Sequence, residues 1–321
     1  MRVLVTGAAG FIGTNLCTLL LGDGLLDEGV EVVAVDNLSA ETGQLAPGVE
    51  LHEVSCAELA ESGELLREID AVVHLAGKPS VDFANDHPME AFDANVRDTV
   101  ALLIAAAEAG VGRFVYASSN AAAGNVDGPV HEQVLTRPAS LYGASKLAAE
   151  AYCIAAGESY GIETVALRFS SVYGPHSRHK GSVIHKLIRD VIAGRILIVH
   201  GDGEQSRDFI FVEDLCRAVV AATRQPCAPV LQIGTGERVS VNELIDVIAD
   251  IADAHPEIEH GETRLGDVRE SVSDISLARE QLGWEPRVDL REGVRRTYEY
   301  YRAREAAPGE QLAGEREGAA T

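Results

Sequence analysis

Short aliphatic runs and longer helical segments alternate along the first half of the chain. The runs are mostly bounded by glycine or polar residues, as expected for strands buried on both faces of a sheet. They lie at residues 3–5, 32–35, 71–75, 114–117 and 164–167. Helices are predicted between them at 11–21, 88–109 and 144–160. This alternation predicts an α/β fold, a doubly wound parallel sheet of Rossmann type, over residues 1–175.

The alternation of aliphatic runs and helical segments is less regular in the second half of the chain. Helices are predicted at 182–193, 213–224, 240–254 and 290–304, with short strands between them. These segments predict a smaller C-terminal α/β substrate lobe at 176–303, and the part near 205–238 is expected to rejoin the first domain. The last residues, 304–321, are polar and rich in alanine and glycine, which predicts a disordered tail.

The charge balance narrows the range of partners. The chain has 27 basic and 50 acidic residues, a formal net charge of −23. This field repels nucleic acid, so no nucleic-acid partner is expected, and an anionic substrate must be held by a few placed arginines. No run reaches the roughly 18 apolar residues of a membrane helix, and the N-terminus lacks the features of a secretory signal. We therefore expect a cytoplasmic protein without membrane association.

The cysteines give no sign of a metal or a disulfide framework. They are scattered, with no C-x-x-C pair and no histidines at metal spacing, so buried reduced thiols are expected and no metal site is predicted. The five are Cys17, Cys56, Cys153, Cys216 and Cys227.

A glycine-rich turn follows the first predicted strand and opens the first predicted helix. It reads Thr6-Gly7-Ala8-Ala9-Gly10-Phe11-Ile12-Gly13. Glycines let the backbone turn tightly and approach a pyrophosphate, which then accepts hydrogen bonds from the helix N–H groups. The residues predicted here to bind a dinucleotide are Gly7, Gly10, Phe11, Ile12 and Gly13.

An acidic residue at the end of the second strand supports this prediction. A carboxylate at Asp36 would accept hydrogen bonds from the adenosine ribose diol and repel a 2′-phosphate, which favours NAD over NADP. Asn37 is predicted to lie beside it at the cofactor. The alternative is a solvated turn aspartate, because Asp-Asn pairs are common in turns.

Tyr142 and Lys146 are four residues apart at a helix start and share one face. A phenol, with an ordinary pKa of about 10, is a poor base at neutral pH. A nearby ammonium and a positive nicotinamide would favour the phenolate, so Tyr142 could take a proton from a sugar hydroxyl. An ordinary helix pair is the alternative, and the preceding strand, which ends in Ser118-Ser119, favours the catalytic interpretation.

The ordered motifs resemble those of extended short-chain dehydrogenases/reductases, and within them the NAD-dependent UDP-sugar 4-epimerases of the epimerase/dehydratase family. Besides the glycine turn, Asp36 and Tyr142-x-x-x-Lys146, the matching motifs are His74–Gly77, Asn95-Val96, Ser118-Ser119, Arg168-Phe169, Val172–Pro175, Gly201–Gly203 and Arg207–Phe209. The resemblance spans about residues 1–300.

The resemblance implies roles at individual positions. Ser119 would hydrogen-bond the sugar 4-hydroxyl and the tyrosine, and Lys146 would bind the nicotinamide ribose. These two and Tyr142 are therefore the predicted catalytic residues. The further implied contacts of NAD are Leu75, Ala76, Gly77, Asn95 and Ser118.

The resemblance also implies a nucleotide-sugar site, with UDP favoured as the nucleotide. Arg207 and Arg264 would clamp the diphosphate, although a surface ion pair is the alternative for each. His200 would stack on the base, or be a surface histidine. The remaining implied substrate contacts are Ser80, Ser119 and Ser171.

Two further positions bear on the choice of sugar. Ser271 lies at the position that limits sugar size in these epimerases, and a small side chain there leaves room for a 2-acetamido group. The alternative is that Ser271 faces solvent. Arg178, Lys180 and Lys186 are candidates to meet a carboxylated sugar, or are simply solvated.

The alanine-rich helices 88–109 and 144–160 correspond to helices that pair in the family as a four-helix bundle, which implies a homodimer. Packing against the chain's own sheet is the alternative.

Three functions remain in consideration. The first is a nucleotide-sugar 4-epimerase, in which C4 is oxidised to a 4-keto sugar and the hydride returns to the other face. The second is a sugar oxidoreductase that releases NADH, and the third is a catalytically silent NAD-binding regulator. Dehydration is not favoured, since Asn120-Ala121 replaces the Asp-Glu pair of the family's 4,6-dehydratases.

Overall fold

The computed structural model describes residues 1–22, 29–39, 45, 48–177, 182–262 and 269–305. The strands are β1 (Arg2–Thr6), β2 (Glu31–Asp36), β3 (Leu51–Glu53), β4 (Ala71–His74), β5 (Arg113–Ser119), β6 (Glu163–Phe169), β7 (Ser171–Tyr173), β8 (Leu197–His200), β9 (Ser206–Arg207), β10 (Phe209–Phe211), β11 (Val230–Ile233), β12 (Val239–Ser240) and β13 (Ile258–Gly261). The helices are α1 (Phe11–Leu21), α2 (Cys56–Ser62), α3 (Val81–Asp86), α4 (Pro88–Phe92), α5 (Asp98–Glu108), α6 (Leu141–Tyr160), α7 (Val183–Ile192), α8 (Val212–Arg224), α9 (Val241–Ala252), α10 (Ser276–Leu282) and α11 (Leu290–Glu305).

Seven parallel strands form the central sheet in the order β11-β6-β5-β4-β1-β2-β3. The chain order of these strands reverses between β1 and β4, which is the usual place for a ligand in an open α/β sheet. The five predicted aliphatic runs all lie in this sheet, so the predicted doubly wound parallel fold is confirmed.

Both faces of the sheet are covered, because successive side chains of a strand point to opposite sides. In β1, Val3 and Val5 belong to a core shared with α1, α8 and α10, whereas Leu4 belongs to the core under α2, α5 and α6. A third core joins α7, α9 and α11 in the smaller lobe. The segment after residue 205 returns to the large sheet, where α8 packs on one face and β11 pairs with β6.

Two predicted helices differ in detail from the structure. The helix predicted at 88–109 consists of α4, a π-helical turn at Asp93–Arg97 and α5. The helix predicted from residue 144 begins at Leu141, because the Ser140 hydroxyl accepts a hydrogen bond from the Gly143 N–H and caps the helix there. Helix α11 extends to Glu305, two residues into the predicted tail, and 306–321 lie outside the described residues.

Among the helices that the structure describes, none is both long enough and apolar enough to cross a membrane.

Candidate active site

The predicted functional residues gather at one edge of the sheet. Strands β1, β2, β4 and β5 all run parallel, so their carboxyl ends meet there. These ends carry Thr6, Asp36, His74 and Ser119. The arrangement brings the glycine turn, the acidic residue and the catalytic candidates to a common edge.

Two glycines of the glycine-rich turn, Gly7 and Gly13, have no room for a side chain. Gly7 has φ +67°, and a Cβ added there would lie 2.8 Å from the Ala76 nitrogen. A Cβ on Gly13 would lie 2.1 Å from the Gly7 carbonyl oxygen. The Gly10 N–H donates to that same carbonyl over 3.1 Å, and α1 starts at the next residue. The close approach of bare backbone to the start of an 11-residue helix fits the pyrophosphate of a dinucleotide.

Asp36 is half-buried beside this turn. One carboxylate oxygen accepts from the Ala9 N–H over 3.0 Å, and the other accepts from the Leu38 N–H over 2.9 Å. Each oxygen keeps acceptor capacity for a hydroxyl. The neighbouring Asn37 is exposed, and its side-chain oxygen accepts from the Ser39 N–H. Asp36 therefore shapes the turn and still presents acceptors next to the glycine loop.

A buried histidine fixes the end of β4 against β1. The His74 ring lies 2.7 Å from the Thr6 hydroxyl and 2.8 Å from the Thr99 hydroxyl. Burial lowers the pKa of His74 to about 3, and the Lys146 charge acts in the same direction, so the ring is neutral. Leu75 and Ala76 follow, half-buried, with their N–H groups donating to the Thr6 carbonyl and hydroxyl.

Asn95 supports the loop that was predicted to contact the cofactor. It is 1% exposed, and its side-chain oxygen accepts from the Lys78 N–H over 2.7 Å. Its amide nitrogen donates to the Ser145 hydroxyl over 3.0 Å, and that hydroxyl donates to the Tyr142 carbonyl. A Cβ on Gly77 would lie 2.7 Å from the Asn95 oxygen. Within the described structure, Asn95 therefore holds this loop, at Lys78, against α6, at Ser145.

Ser119, Tyr142 and Lys146 come together where α6 begins. The Ser119 hydroxyl lies near the Tyr142 phenol and acts to lower its pKa. Gly143 allows this approach, because a Cβ there would lie 2.3 Å from the Ala121 carbonyl oxygen. The Lys146 ammonium donates to the Ala117 carbonyl over 2.8 Å and lies 4.9 Å from the centre of the Tyr116 ring.

Burial dominates the pKa values of Tyr142 and Lys146 in the protein alone. Burial raises the pKa of Tyr142 above its ordinary value, and the Ser119 hydroxyl only partly opposes this. Burial lowers the pKa of Lys146 to about 8. The expected lowering of the tyrosine pKa includes the positive nicotinamide and stays a prediction for the cofactor-bound protein.

Ser118 faces the interior. Its side chain is 3% exposed, and the hydroxyl donates to the Glu150 carboxylate over 3.0 Å. The Ser118 side chain therefore points to the opposite face from that of Ser119, and its cofactor contact stays a prediction.

Three predicted substrate residues line one cavity of about 330 Å³ that is bounded by β7, α7, β8 and β9: Ser171, His200 and Arg207. Lys186, Gln205 and Phe209 line it as well. Gln205 and Phe209 were missed by the sequence analysis, although positions 205, 207 and 209 alternate as strand residues on one face do.

A buried carboxylate fixes the strand that bears Arg207. Asp208 is 1% exposed and accepts hydrogen bonds from the N–H groups of Thr235, Gly236 and Ser273. It thereby joins β9 and β10 to two neighbouring segments of the lobe.

The other predicted substrate residues lie elsewhere or outside the described structure. Ser80 is exposed and caps α3, accepting from the Phe83 N–H over 3.1 Å. Ser271 is half-buried, and its N–H donates to the Ser206 carbonyl, next to Arg207. Arg264, Arg178 and Lys180 lie outside the described residues. Lys186 donates to Asp190 over 2.7 Å.

The five cysteines are all described and all have free thiols. In the described part of the chain, no three His, Cys, Asp or Glu side chains are placed to hold a metal ion.

Comparison with known proteins gives consistent matches over nearly the whole chain. The family model described as "NAD dependent epimerase/dehydratase family" matches residues 3–234. The chain is 37% identical over 317 residues to UDP-glucose 4-epimerase of Mycolicibacterium smegmatis, covering 94% of this chain and 99% of that protein.

Solved structures agree with this result. The UDP-glucose 4-epimerase of Thermotoga maritima with UDP-glucose superposes with a TM-score of 0.88 at 33% identity, covering 95% of this chain and 99% of that one. MoeE5 in complex with UDP-glucuronic acid and NAD gives a TM-score of 0.85 at 38% identity, covering 95% and 100%. Other matching relatives carry the names of a decarboxylase and of dehydratases.

Proposed function

Because the chain belongs to the NAD dependent epimerase/dehydratase family, we propose that it is a nucleotide-sugar 4-epimerase acting on a UDP-linked hexose or N-acetylhexosamine. The predicted family and the predicted NAD cofactor are confirmed by this membership. One observation carries the proposal further: the Tyr142 phenol lies near the Ser119 hydroxyl, which acts to lower its pKa, and the Lys146 ammonium is buried at the same sheet edge.

The residues that would hold NAD are the glycines of the turn for the pyrophosphate, Asp36 for the adenosine ribose and Lys146 for the nicotinamide ribose. The bound cofactor would accept a hydride from C4 of the sugar and return it to the other face.

The chain's own residues would manage the proton. Ser119 would orient the 4-hydroxyl towards Tyr142, and the phenol oxygen would take the proton. The Ser119 hydrogen bond and the Lys146 charge would stabilise the resulting phenolate. On reduction of the 4-keto group, Tyr142 would give the proton back.

The geometry supports epimerisation over dehydration. Asn120 follows Ser119, and its amide nitrogen donates to the Ser273 hydroxyl over 2.9 Å. An amide cannot act as a carboxylic acid, and Ala121 has no polar side chain. Neither position can protonate a leaving hydroxyl.

The cavity beside β9 would take the nucleotide diphosphate. Arg207 offers a guanidinium whose fork suits phosphate oxygens, and His200 offers a flat ring in the lining of the same cavity. A local arginine is needed, since the formal net charge of −23 repels an anionic ligand.

A homodimer would cover exposed apolar side chains. Met89 and Phe92 of α4, and Tyr152 and Ile154 of α6, are all exposed. These helices belong to the pair of segments for which the sequence predicts association across a two-fold axis.

The function is tested by NMR of purified protein incubated with a panel of UDP-sugars. Appearance of the C4 epimer is the expected result. An oxidised sugar formed with stoichiometric NADH would support the oxidoreductase, and unchanged sugars despite bound NAD would support the regulator.

Cofactor preference gives the first prediction. We expect NAD(H) to bind at least about tenfold more tightly than NADP(H), because a 2′-phosphate would meet the Asp36 carboxylate. Isothermal calorimetry measures both affinities. Asp36→Asn should reduce the difference between the NAD(H) and NADP(H) affinities, because it removes the charge and keeps a hydrogen-bond acceptor. Asp70→Asn, an exposed aspartate far from the turn, is the matched control. Equal affinities in the native protein would remove Asp36 from its assigned role.

Sugar size gives the second prediction. Ser271 lies beside the strand of Arg207, and a serine there leaves space, so UDP-N-acetylhexosamines should turn over at rates comparable with UDP-hexoses. Ser271→Tyr should then slow the acetamido substrates selectively, at least about tenfold, since steric overlap acts on the larger sugar alone. Parallel kinetics with both substrate classes measure this. Ser276→Tyr, at an exposed serine, is the control, and equal slowing of both classes by Ser271→Tyr would contradict the prediction.

A further inference from the structure

A buried ion pair lies directly behind the catalytic residues. The Arg168 guanidinium binds both carboxylate oxygens of Glu150, with its Nε 3.0 Å from one of them. The Ser118 hydroxyl donates to the same carboxylate over 3.0 Å. Glu150 and Arg168 are each 2% exposed, so this group is shielded from solvent and from screening by salt.

Together with Ser118, the pair joins β6 to the two elements that carry the catalytic residues, β5 and α6. Glu150 follows Lys146 by one turn of α6 and lies on the same face. Arg168 of β6 is directly opposite Ser118 of β5 in the parallel register, and Ser118 immediately precedes Ser119. The ion pair and its serine therefore connect the end of the catalytic strand to the helix that bears Tyr142 and Lys146.

Stability alone does not account for this group. Removing two charges from water is costly, and a buried ion pair often contributes no more than apolar residues of the same volume. The cost is increased here, because Nη1 of Arg168 has no hydrogen-bond partner among the described residues. Gln232, its register neighbour in β11, likewise has both side-chain polar atoms buried without partners in the described structure. What the pair provides is fixed, directional geometry.

We propose that Glu150 and Arg168 are positioning residues for the reaction: through Ser118 on one side and the Lys146 turn on the other, they set the distance between Ser119 and the Tyr142–Lys146 dyad. This inference rests on the proposed function for its kinetic readout. A displacement of about 1 Å in such a site costs on the order of 10² in rate.

The test exchanges the pair for apolar side chains of similar size. Glu150→Leu and Arg168→Met as single variants each leave a buried charge unpaired, and both should lose stability strongly. The double variant has no unpaired charge and should regain a melting temperature near that of the native protein. If the pair positions the dyad, kcat of the double variant stays at least about tenfold low, while KM and the dissociation constant for NADH change less than about twofold.

A second ion pair, which joins β5 to β6, provides the control. Arg113 and Glu163 bridge β5 and β6 at the opposite end of the sheet. The double variant Arg113→Met, Glu163→Leu should leave kcat within about twofold of the native value. Recovery of both stability and kcat in the Glu150→Leu, Arg168→Met variant would overturn the proposal, because the pair would then be only structural.

Two further measurements keep the inference independent of folding and of substrate. Ser118→Ala removes only the hydroxyl that links β5 to the pair, and it should lower kcat with a smaller loss of melting temperature than Glu150→Leu or Arg168→Met, since no charge is left unpaired; an unchanged kcat would contradict the proposal. Amide hydrogen exchange of the cofactor-free double variant should be faster at 117–120 and 141–146, and unaltered exchange there would equally contradict it. Absence of epimerase activity in the native protein would refute the proposed function, whereas the exchange result would still decide the role of the pair.

Discussion

Tyr142→Phe is expected to lower kcat by about 10²–10⁴, the usual loss when a positioned acid/base is removed. The phenylalanine ring fills the same half-buried space in the first turn of α6, so the fold and the glycine turn should be unaffected. What is lost is the oxygen that the Ser119 hydroxyl contacts and that would receive the proton. The dissociation constant for NAD should therefore stay within about threefold, a difference below 1 kcal/mol.

Steady-state kinetics with the preferred UDP-sugar, together with calorimetry of NAD binding, measure these two effects. Tyr152→Phe is the matched control, because Tyr152 lies on the same helix and is 53% exposed. A Tyr142→Phe enzyme with near-native kcat would show that another group carries the proton.

Gly13→Ala is expected to weaken NAD binding by roughly tenfold to a hundredfold and to lower the melting temperature. The added Cβ would lie 2.1 Å from the Gly7 carbonyl oxygen and 2.7 Å from the Ala8 Cα, and neither is the end of a flexible side chain. Overpacking of this kind costs about 1–3 kcal/mol. Here it would be relieved by moving the turn away from α1, where the pyrophosphate is expected.

Calorimetry with NAD and a thermal melt check this prediction. Gly10→Ala is the graded control: its Cβ would lie 3.2 Å from the same oxygen, and its backbone φ is −74°, so a smaller effect is expected. Native NAD affinity in Gly13→Ala would mean that the dinucleotide does not depend on this turn.

The main sheet could be predicted from sequence because its signals are local. Aliphatic runs such as that of β1, bounded by glycine, specify strands buried on both faces, and the glycine turn marks where β1 ends and α1 begins. The short strands β9 and β12 could not be predicted in this way. Each is two residues long, which is too short to show a periodic pattern of hydrophobic and polar positions. Each is defined only by its pairing with the other.

The candidate site was predictable in its residue types and less so in its environment. Tyr142 and Lys146 follow from their spacing, but the direction in which burial moves their pKa values depends on atoms from β5 and its following turn. The same limit applies to Ser118, where the contact with Glu150 depends on how α6 lies across the sheet. Asp208 is a further case, since its hydrogen-bond donors are distant in sequence.

The return of the chain to its first sheet bears on how the protein unfolds. Strand β11 forms the outer edge next to β6, and α8 contributes Leu215 and Val219 to the core on one sheet face. A fragment ending at Pro175 would therefore expose an apolar face and an unpaired strand edge, two features that promote aggregation. The large sheet depends on chain segments from beyond residue 205, so we expect heat to melt it and the smaller lobe in one cooperative transition.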